Sequence, residues 1–268
     1  MKFTKMQGIG NDYVYVDCFE EKVEYPSELA VRVSDRHFGI GSDGLILICP
    51  SERADLRMRM FNADGSEGKM CGNGARCVGK YAYDHGICRK REMLLETAAG
   101  LRSLEIHTEN GICESVTVDM GEAVISDSVT EKIHVNGSWQ EMIAVQLGNP
   151  HAVYYVSSRE ALLALPLSEI GPLYEHHPRF PEGVNSEFIY VEDRQHLHMR
   201  VWERGSGETL ACGTGATASA CASMRAGLCD RRVTVHLLGG DLLIEEAADG
   251  HYRMTGPAVE VFQGEIKV

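Results

Sequence analysis

Hydrophobic and polar positions alternate along much of the chain, which predicts a protein built largely of half-buried β-strands. Residues 1–19 predict two short strands joined by a polar turn at Gly8 to Asn11. Residues 45–49 and 56–61 predict two more strands, and Asn110-Gly111 between two alternating runs is a hairpin signal. The closing stretch, residues 259–268, is expected to return and complete the sheet of the first half.

Helical periodicity is confined to a few segments. We predict a short helix over Ser27 to His37 with Ser27 as its N-cap, and another over Ala161 to Ile170. A third helix is predicted to follow Cys71 and to end near Asp84, with Gly86 as its C-terminal stop. A fourth is predicted over Gly213 to Ala226. Gly79 lies inside the helix that follows Cys71, so we expect close packing there.

The helix that follows Cys71 belongs to a segment that occurs twice. FNADGSEGKMCGNGARC, residues 61–77, contains CGNGA, and CGTGA returns at residues 212–216. Aligned without gaps, residues 59–86 and 200–227 share seven identities in 28 pairs: Arg59/Arg200, Glu67/Glu208, Cys71/Cys212, Gly72/Gly213, Gly74/Gly215, Ala75/Ala216 and Gly86/Gly227. Gly10-Asn11 and Gly148-Asn149 precede their cysteines at similar distances. We therefore predict a duplicated domain, with residues 1–115 and 258–268 in one copy and 116–257 in the other.

The length and net charge of the chain limit which kinds of molecule it is expected to bind. The 268 residues suffice for two ordinary domains, and 39 acidic residues against 26 Lys plus Arg give a formal charge of -13. Nucleic acid and anionic membranes are therefore poor partners. The N-terminus lacks the apolar core of a signal peptide, and no run of about 18 apolar residues occurs. These features predict a soluble, cytoplasmic protein with a small-molecule substrate.

The nine cysteines do not form a recognisable framework. No CxxC occurs, so most are expected to be reduced, buried thiols. Paired ligands at the spacing of a structural zinc site are missing. His196 and His198 can share one face of a strand, but an isolated HxH is a weak signal, and we predict no metal.

The two repeated cysteines point to proton transfer. The positive end of a helix dipole stabilises a thiolate at its N-terminus, and the unpaired backbone N–H groups there bind a carboxylate. If the two copies face one pocket, Cys71 and Cys212 can act on opposite sides of one carbon. One thiolate removes an α-proton while the other thiol protonates the far face, which is what inversion of a stereocentre requires. This chemistry needs no pyridoxal phosphate or other cofactor.

The chain strongly resembles the diaminopimelate epimerase family. The resemblance rests on motifs that span nearly the whole chain in order: GIGND (8–12), RHFGIGSDG (36–44), residues 61–77 given above, LGNPH (147–151), GVNSEF (183–188) and ERGSGETLACGTGA (203–216). It implies an α/β fold of the α+β type with two similar domains, each a mostly antiparallel sheet curled around a central helix. It also implies an active site in the cleft between the domains, a cytoplasmic homodimer, and a role in lysine and peptidoglycan precursor synthesis.

The resemblance also assigns residues. It implies Cys71 and Cys212 as the acid/base pair, with His151 and Glu203 tuning the thiols. Helix-terminal groups of Gly72, Asn73, Gly213 and Thr214 would bind the reacting carboxylate. The remaining residues implied to bind substrate are Asn11, Asn62, Asn149, Asn185, Glu203 and Arg204. Arg204 can grip the remote carboxylate of a diaminopimelate with two parallel hydrogen bonds.

Three other functions keep part of this pattern. A racemase of another amino acid, such as histidine, would retain both thiols but would not need Arg204 and the asparagines that recognise a second amino-acid head group. A thiol peptidase or transferase would use one cysteine and one histidine, which leaves the second motif unexplained. A binding module could clamp an anion between two helix ends, but it would not require two cysteines.

Overall fold

The computed structural model describes residues 1–125 and 130–267, so Val268 of the predicted closing stretch lies outside the described residues. The chain divides into two compact units, Met1–Asp119 with Thr255–Val268, and Met120–Met254. Within the described ranges, no helix is long and apolar enough to cross a membrane.

The first unit consists of one sheet with two helices. Its strands run in the order β19-β1-β2-β3-β4-β6-β7-β8, antiparallel except for the parallel pairs β2/β3 and β4/β6. The pairing of β19 with β1 confirms that the closing stretch joins this sheet. The elements are β1 (Lys2–Gly8), β2 (Asn11–Asp17), α1 (Pro26–Ser34), β3 (Gly44–Cys49), β4 (Leu56–Asn62), β5 (Glu67–Gly68), α2 (Gly72–Asp84), β6 (Glu92–Thr97), β7 (Gly100–Glu109), β8 (Ile112–Gly121) and β19 (Val259–Glu265).

The second unit has the same pattern. Its strands run β11-β12-β13-β14-β16-β17, with the parallel pairs β12/β13 and β14/β16 at the places where the first unit has β2/β3 and β4/β6. Both chain crossings between the units fall within strands, β8 and β18. The elements are β9 (Val124–Ile125), β10 (Glu131–Val135), β11 (Ser138–Gln146), β12 (Pro150–Tyr155), α3 (Arg159–Leu163), α4 (Leu167–Glu175), β13 (Asn185–Val191), β14 (His196–Glu203), β15 (Gly207–Glu208), α5 (Gly213–Arg225), β16 (Arg232–Leu237), β17 (Gly240–Glu246) and β18 (Tyr252–Pro257).

An ion pair explains two of the sequence identities between the copies. Arg59 on β4 donates from Nε to Oε1 of Glu67 on β5 at 2.8 Å, and Arg200 on β14 makes the same bond to Glu208 on β15 at 2.8 Å. In each unit the pair ties the long strand to the two-residue strand that leads into the helix. The repeated Arg and Glu therefore brace the approach to each cysteine.

The two central helices begin and end alike. Cys71 and Cys212 are the N-caps of α2 and α5, with nearly equal backbone angles of φ -133°, ψ 118° and φ -129°, ψ 108°. Gly86 and Gly227 follow the C-caps with φ of 79° and 72°, the left-handed conformation that favours glycine. These features confirm both helix starts and the Gly86 stop.

Each sheet curls around its helix. Strands β11 and β17, at opposite ends of their order, both contact α5, and β1 and β7 both contact α2. A Cβ on Gly79 of α2 would lie 3.1 Å from Ile106 Cδ1 and 3.2 Å from Leu104 Cδ1, which confirms the expected close packing. The sheet-dominated, mixed α and β class predicted for the chain is thereby confirmed.

Two local predictions are wrong, both because of proline. Helix α1 begins at Pro26 and its N-cap is Tyr25 without a side-chain cap, so Ser27 lies inside the first turn. Proline is favoured at that first position because its φ is already helical. The helix predicted over 161–170 is two helices. α3 ends at Leu163 and α4 begins at Leu167, directly after Pro166, which lies outside the helical conformation.

Candidate active site

In the first unit, Cys71 is held by its own helix and by the first motif. Its half-buried Sγ accepts a hydrogen bond from the backbone N–H of Gly74 at 3.3 Å and donates to Oδ1 of Asn11 at 3.3 Å. Asn11 in turn donates from Nδ2 to Oδ2 of Asp43 at 2.8 Å, and Arg36 donates to the other oxygen of Asp43 at 3.0 Å. The motifs GIGND and RHFGIGSDG therefore meet beside the thiol.

Asn73, the second residue of α2, is fixed by a buried arginine. Arg76 is fully buried and donates from Nη1 to Oδ1 of Asn73 at 2.9 Å and from Nε to the carbonyl of Pro257 at 3.1 Å. Burial lowers the pKa of Arg76, while attraction to the thiols of Cys77 and Cys71 opposes that shift. The guanidinium thus orients Asn73, and its positive charge favours a negative charge on the sulfur of Cys71.

Asn62 lies at the end of β4, opposite Gly44 of β3. Its side chain is exposed and donates to Oγ of Ser66 at 2.9 Å, while its backbone N–H donates to the carbonyl of Ser66 at 2.9 Å. Gly72 and Asn73 are buried in the first turn of α2. The first unit therefore contains five of the predicted site residues: Asn11, Asn62, Cys71, Gly72 and Asn73.

In the second unit, Cys212 has the same cap in a more acidic setting. Its buried Sγ accepts the backbone N–H of Gly215 at 3.3 Å and lies 3.5 Å from Oγ1 of Thr214. The carboxyl of Glu203, whose charge acts on this thiol, accepts a hydrogen bond from Oγ1 of Thr209 at 2.5 Å. Burial, followed by the charges of Glu203 and Glu187, raises the pKa of Cys212 well above its ordinary value. Burial also raises the pKa of Glu203.

His151 is buried at the centre of a chain of hydrogen bonds. Its Nδ1 lies 2.7 Å from Oε1 of Glu187, and its Nε2 lies 2.9 Å from Oδ1 of Asn149. His151 and Glu187 each have 0% of their side chains exposed. Asn149 is therefore held by His151, much as Asn73 is held by Arg76.

Asn185 and Arg204 lie together where β13 begins and just after β14 ends. Asn185 donates from Nδ2 to the carbonyl of Pro150 at 3.1 Å and accepts the backbone N–H of Arg204 at 3.0 Å. The exposed guanidinium of Arg204 donates from Nη1 to the carbonyl of Glu182 at 3.1 Å. The second unit therefore contains the other predicted site residues: Asn149, His151, Asn185, Glu203, Arg204, Cys212, Gly213 and Thr214.

Matching strand positions show that the two copies differ in charge. The parallel registers pair Tyr13 with Gly44 in the first unit and His151 with Asn185 in the second. Tyr13 in the first unit therefore stands where the second unit has His151. By the same correspondence, Ile46 and Asn62 stand where the second unit has Glu187 and Glu203. At these three matched positions the second unit carries a histidine and two carboxylates, whereas the first unit carries a tyrosine and two uncharged residues.

Sequence reasoning missed Glu187 and Arg76. Glu187 lies in GVNSEF, where a single acidic residue interrupts the buried strand β13. Arg76 lies in CGNGARC, on the buried side of α2. A charged residue inside an otherwise apolar or small-residue segment was the signal that could have found them, because such groups are buried only with partners.

The fold is shared with solved structures of low sequence identity. A hydroxyproline epimerase from Agrobacterium vitis superposes with a TM-score of 0.69 at 16% identity, covering 98% of this chain and 91% of that one. A Bacillus anthracis phenazine biosynthesis protein of the PhzF family superposes with a TM-score of 0.74 at 16% identity, covering 100% and 99%. At 16% identity, both likenesses establish the fold that this chain shares with these proteins.

Sequence comparison identifies the family. The family model of diaminopimelate epimerase matches residues 3–126 and 143–261. A diaminopimelate epimerase from Acetivibrio thermocellus is 55% identical over 278 residues, covering 99% of this chain and 98% of the relative. The chain belongs to the diaminopimelate epimerase family, which confirms the resemblance found in its motifs.

Proposed function

We propose that this protein interconverts LL-2,6-diaminopimelate and meso-2,6-diaminopimelate, as a cofactor-independent isomerase in lysine and peptidoglycan precursor synthesis. The observation that carries the proposal is 55% identity to a diaminopimelate epimerase over nearly the whole chain. The matched caps at Cys71 and Cys212 support it, because inversion needs one acid and one base.

The proposed reaction moves one proton on each face of the α-carbon. One cysteine thiolate takes the α-proton and becomes a thiol, while the other thiol gives its proton to the opposite face and becomes a thiolate. The total charge of the pair is unchanged. Backbone N–H groups at the starts of α2 and α5, with Asn73 and Thr214, are proposed to hold the reacting carboxylate, where they stabilise the charge that develops on it.

The far end of the substrate requires its own recognition. Diaminopimelate carries an ammonium and a carboxylate at each end, so the enzyme must distinguish it from a simple amino acid. Arg204 is proposed to bind the remote carboxylate, and the amides of Asn11, Asn62, Asn149 and Asn185 supply both donors and acceptors. Glu203 is proposed to bind substrate and, with His151, to tune the thiols.

We further propose that Cys212 is a protonated thiol in the resting enzyme. Glu203 and Glu187 place negative charge beside Cys212, whereas the buried guanidinium of Arg76 lies near Cys71. Negative neighbours favour the protonated sulfur and a positive neighbour favours the ionised one. After one turnover the two cysteines have exchanged protonation states, so the enzyme is then in the form that catalyses the reverse reaction.

The elevated pKa of Cys212 predicts an unusual alkylation profile. Because only the thiolate reacts, the rate at an ordinary thiol stops rising once pH passes its ordinary pKa of 9.0. In the native protein, the rate of iodoacetamide addition to Cys212 is expected to keep rising above that pH. Peptide mass spectrometry measures it, with Cys212 in the urea-unfolded chain as the control. A native rate that levels off at the same pH as the control would contradict the assignment.

The deciding experiment for the reaction uses deuterated water. The purified protein, without added cofactor, is incubated with LL-diaminopimelate, and meso product carrying solvent deuterium at the α-carbon is expected. Histidine and other amino acids are tested in parallel. Turnover of histidine but not diaminopimelate would replace the proposed substrate with the alternative racemase activity. A homodimeric assembly and a cytoplasmic location, both implied by the family resemblance, remain predictions.

A further inference from the structure

Three histidines from two neighbouring strands stack on one face of the second unit. β14 and β16 run parallel, with His198 directly opposite His236, and their rings lie 4.7 Å apart. His196, two residues before His198 and so on the same face, stacks on His236 at 5.2 Å. Glu192, just beyond β13, places Oε2 2.6 Å from Nε2 of His198.

We propose that Glu192, His198 and His236 form a binding site for a divalent transition-metal ion. One ligand atom from each of the three residues lies within 4.8 Å of the other two. A tetrahedral ion with bonds of about 2.0–2.1 Å needs its ligand atoms roughly 3.3 Å apart. Small side-chain rotations reach that spacing, because the ligand atoms already lie close together and the side chains of Glu192 and His236 are partly exposed.

Asp241 prepares His236 to act as a ligand. Nδ1 of His236 lies 2.8 Å from Oδ1 of Asp241, and an ionised carboxylate can only accept, so the proton is on Nδ1. The lone pair is then on Nε2, which faces Nδ1 of His196 at 3.0 Å. A carboxylate that holds the far nitrogen of a ligating histidine is the usual support of a metal centre. A bound ion would take the place of Nδ1 of His196 as the partner of Nε2 of His236.

The donor set indicates which ions would bind. Two imidazole nitrogens and one carboxylate oxygen suit Zn²⁺, Co²⁺ or Ni²⁺ better than Mg²⁺ or Ca²⁺, which prefer oxygen alone. Glu192 has 51% of its side chain exposed and His236 has 26%, so an ion has access from solvent and water can complete its coordination.

The site is separate from the residues proposed to act on diaminopimelate. His198 lies five positions before Glu203 on β14, which at about 3.3 Å per residue places them roughly 16 Å apart. An ion there would cross-link β14, β16 and the segment after β13 without touching the thiols. We therefore expect it to stabilise the second unit rather than to take part in proton transfer.

Calorimetric titration with Zn²⁺ tests the site on the full-length, chelator-treated and reduced protein. One equivalent is expected to bind and to raise Tm. His198→Ala and His236→Ala should each weaken that binding at least about 10-fold, and Asp241→Asn about 10–100-fold. The control is His134→Ala, which removes an exposed histidine on β10 of the same unit and should leave binding unchanged.

Co²⁺ distinguishes this site from the nine cysteines. Bound cobalt is expected to show the weak visible bands of nitrogen and oxygen ligation without the strong charge-transfer band of a thiolate, and His198→Ala should abolish those bands. The proposal is overturned if no equivalent of Zn²⁺ binds, if the His198→Ala and His236→Ala variants bind it as tightly as the wild type, or if the cobalt spectrum shows thiolate ligation alone.

Discussion

Cys71→Ala and Cys212→Ala are each expected to lower kcat for epimerisation by about 10²–10⁴-fold or more, because general acid–base catalysis contributes that much and inversion needs both partners. The rate is followed by conversion of LL- to meso-diaminopimelate. Cys77→Ala is the matched control, since Cys77 is a buried thiol of the same helix α2 that lies beyond its N-terminus. It should keep nearly full activity.

A serine variant separates chemistry from folding in this experiment. Each cysteine sulfur caps its helix by accepting an N–H, so the Ala variants also lose about 0.5–2 kcal/mol of stability. Cys71→Ser and Cys212→Ser retain an oxygen that can cap, but the hydroxyl is a far weaker acid than a thiol. Both should stay folded and still lose activity. Retention of wild-type kcat in any one of the four variants would refute the two-base mechanism.

Glu187→Ala is expected to lower the free energy of unfolding by about 3 kcal/mol or more, a large share of the 5–15 kcal/mol that stabilises a typical protein. The substitution leaves the fully buried Nδ1 of His151 without its acceptor and opens a cavity beside α5. Urea denaturation measures the change. The exposed pair of Lys132 and Glu141 gives a matched control, and Glu141→Ala should change stability by less than about 1 kcal/mol.

Glu187→Gln tests whether the same residue also positions the site. The amide oxygen can still accept from His151, so most of the stability should be retained. The loss of negative charge should lower the pKa of the Cys212 thiol toward its ordinary value and shift the pH profile of kcat to lower pH. A Gln variant that matches the wild type in its pH profile would limit Glu187 to a structural role.

Local sequence patterns were sufficient for most of the secondary structure near the site. Cys71 and Cys212 cap their helices as predicted, since a turn rich in glycine followed by small residues determines a helix start within a few positions. The errors at Ser27 and at 161–170 also have local causes. Pro26 and Pro166 decide those boundaries, and both were visible in the sequence.

The sequence by itself determined the family, the duplicated motif and the residues expected to bind and act on the substrate, because these depend on residue type and spacing along the chain. Only the tertiary structure paired His151 with Glu187, placed Arg76 behind Asn73, and brought His198 and His236 together across two strands. Those contacts depend on strand register and on which face of a strand or helix is buried. No short segment of the sequence specifies this register, because it is set only when segments that are distant in the chain pack against each other.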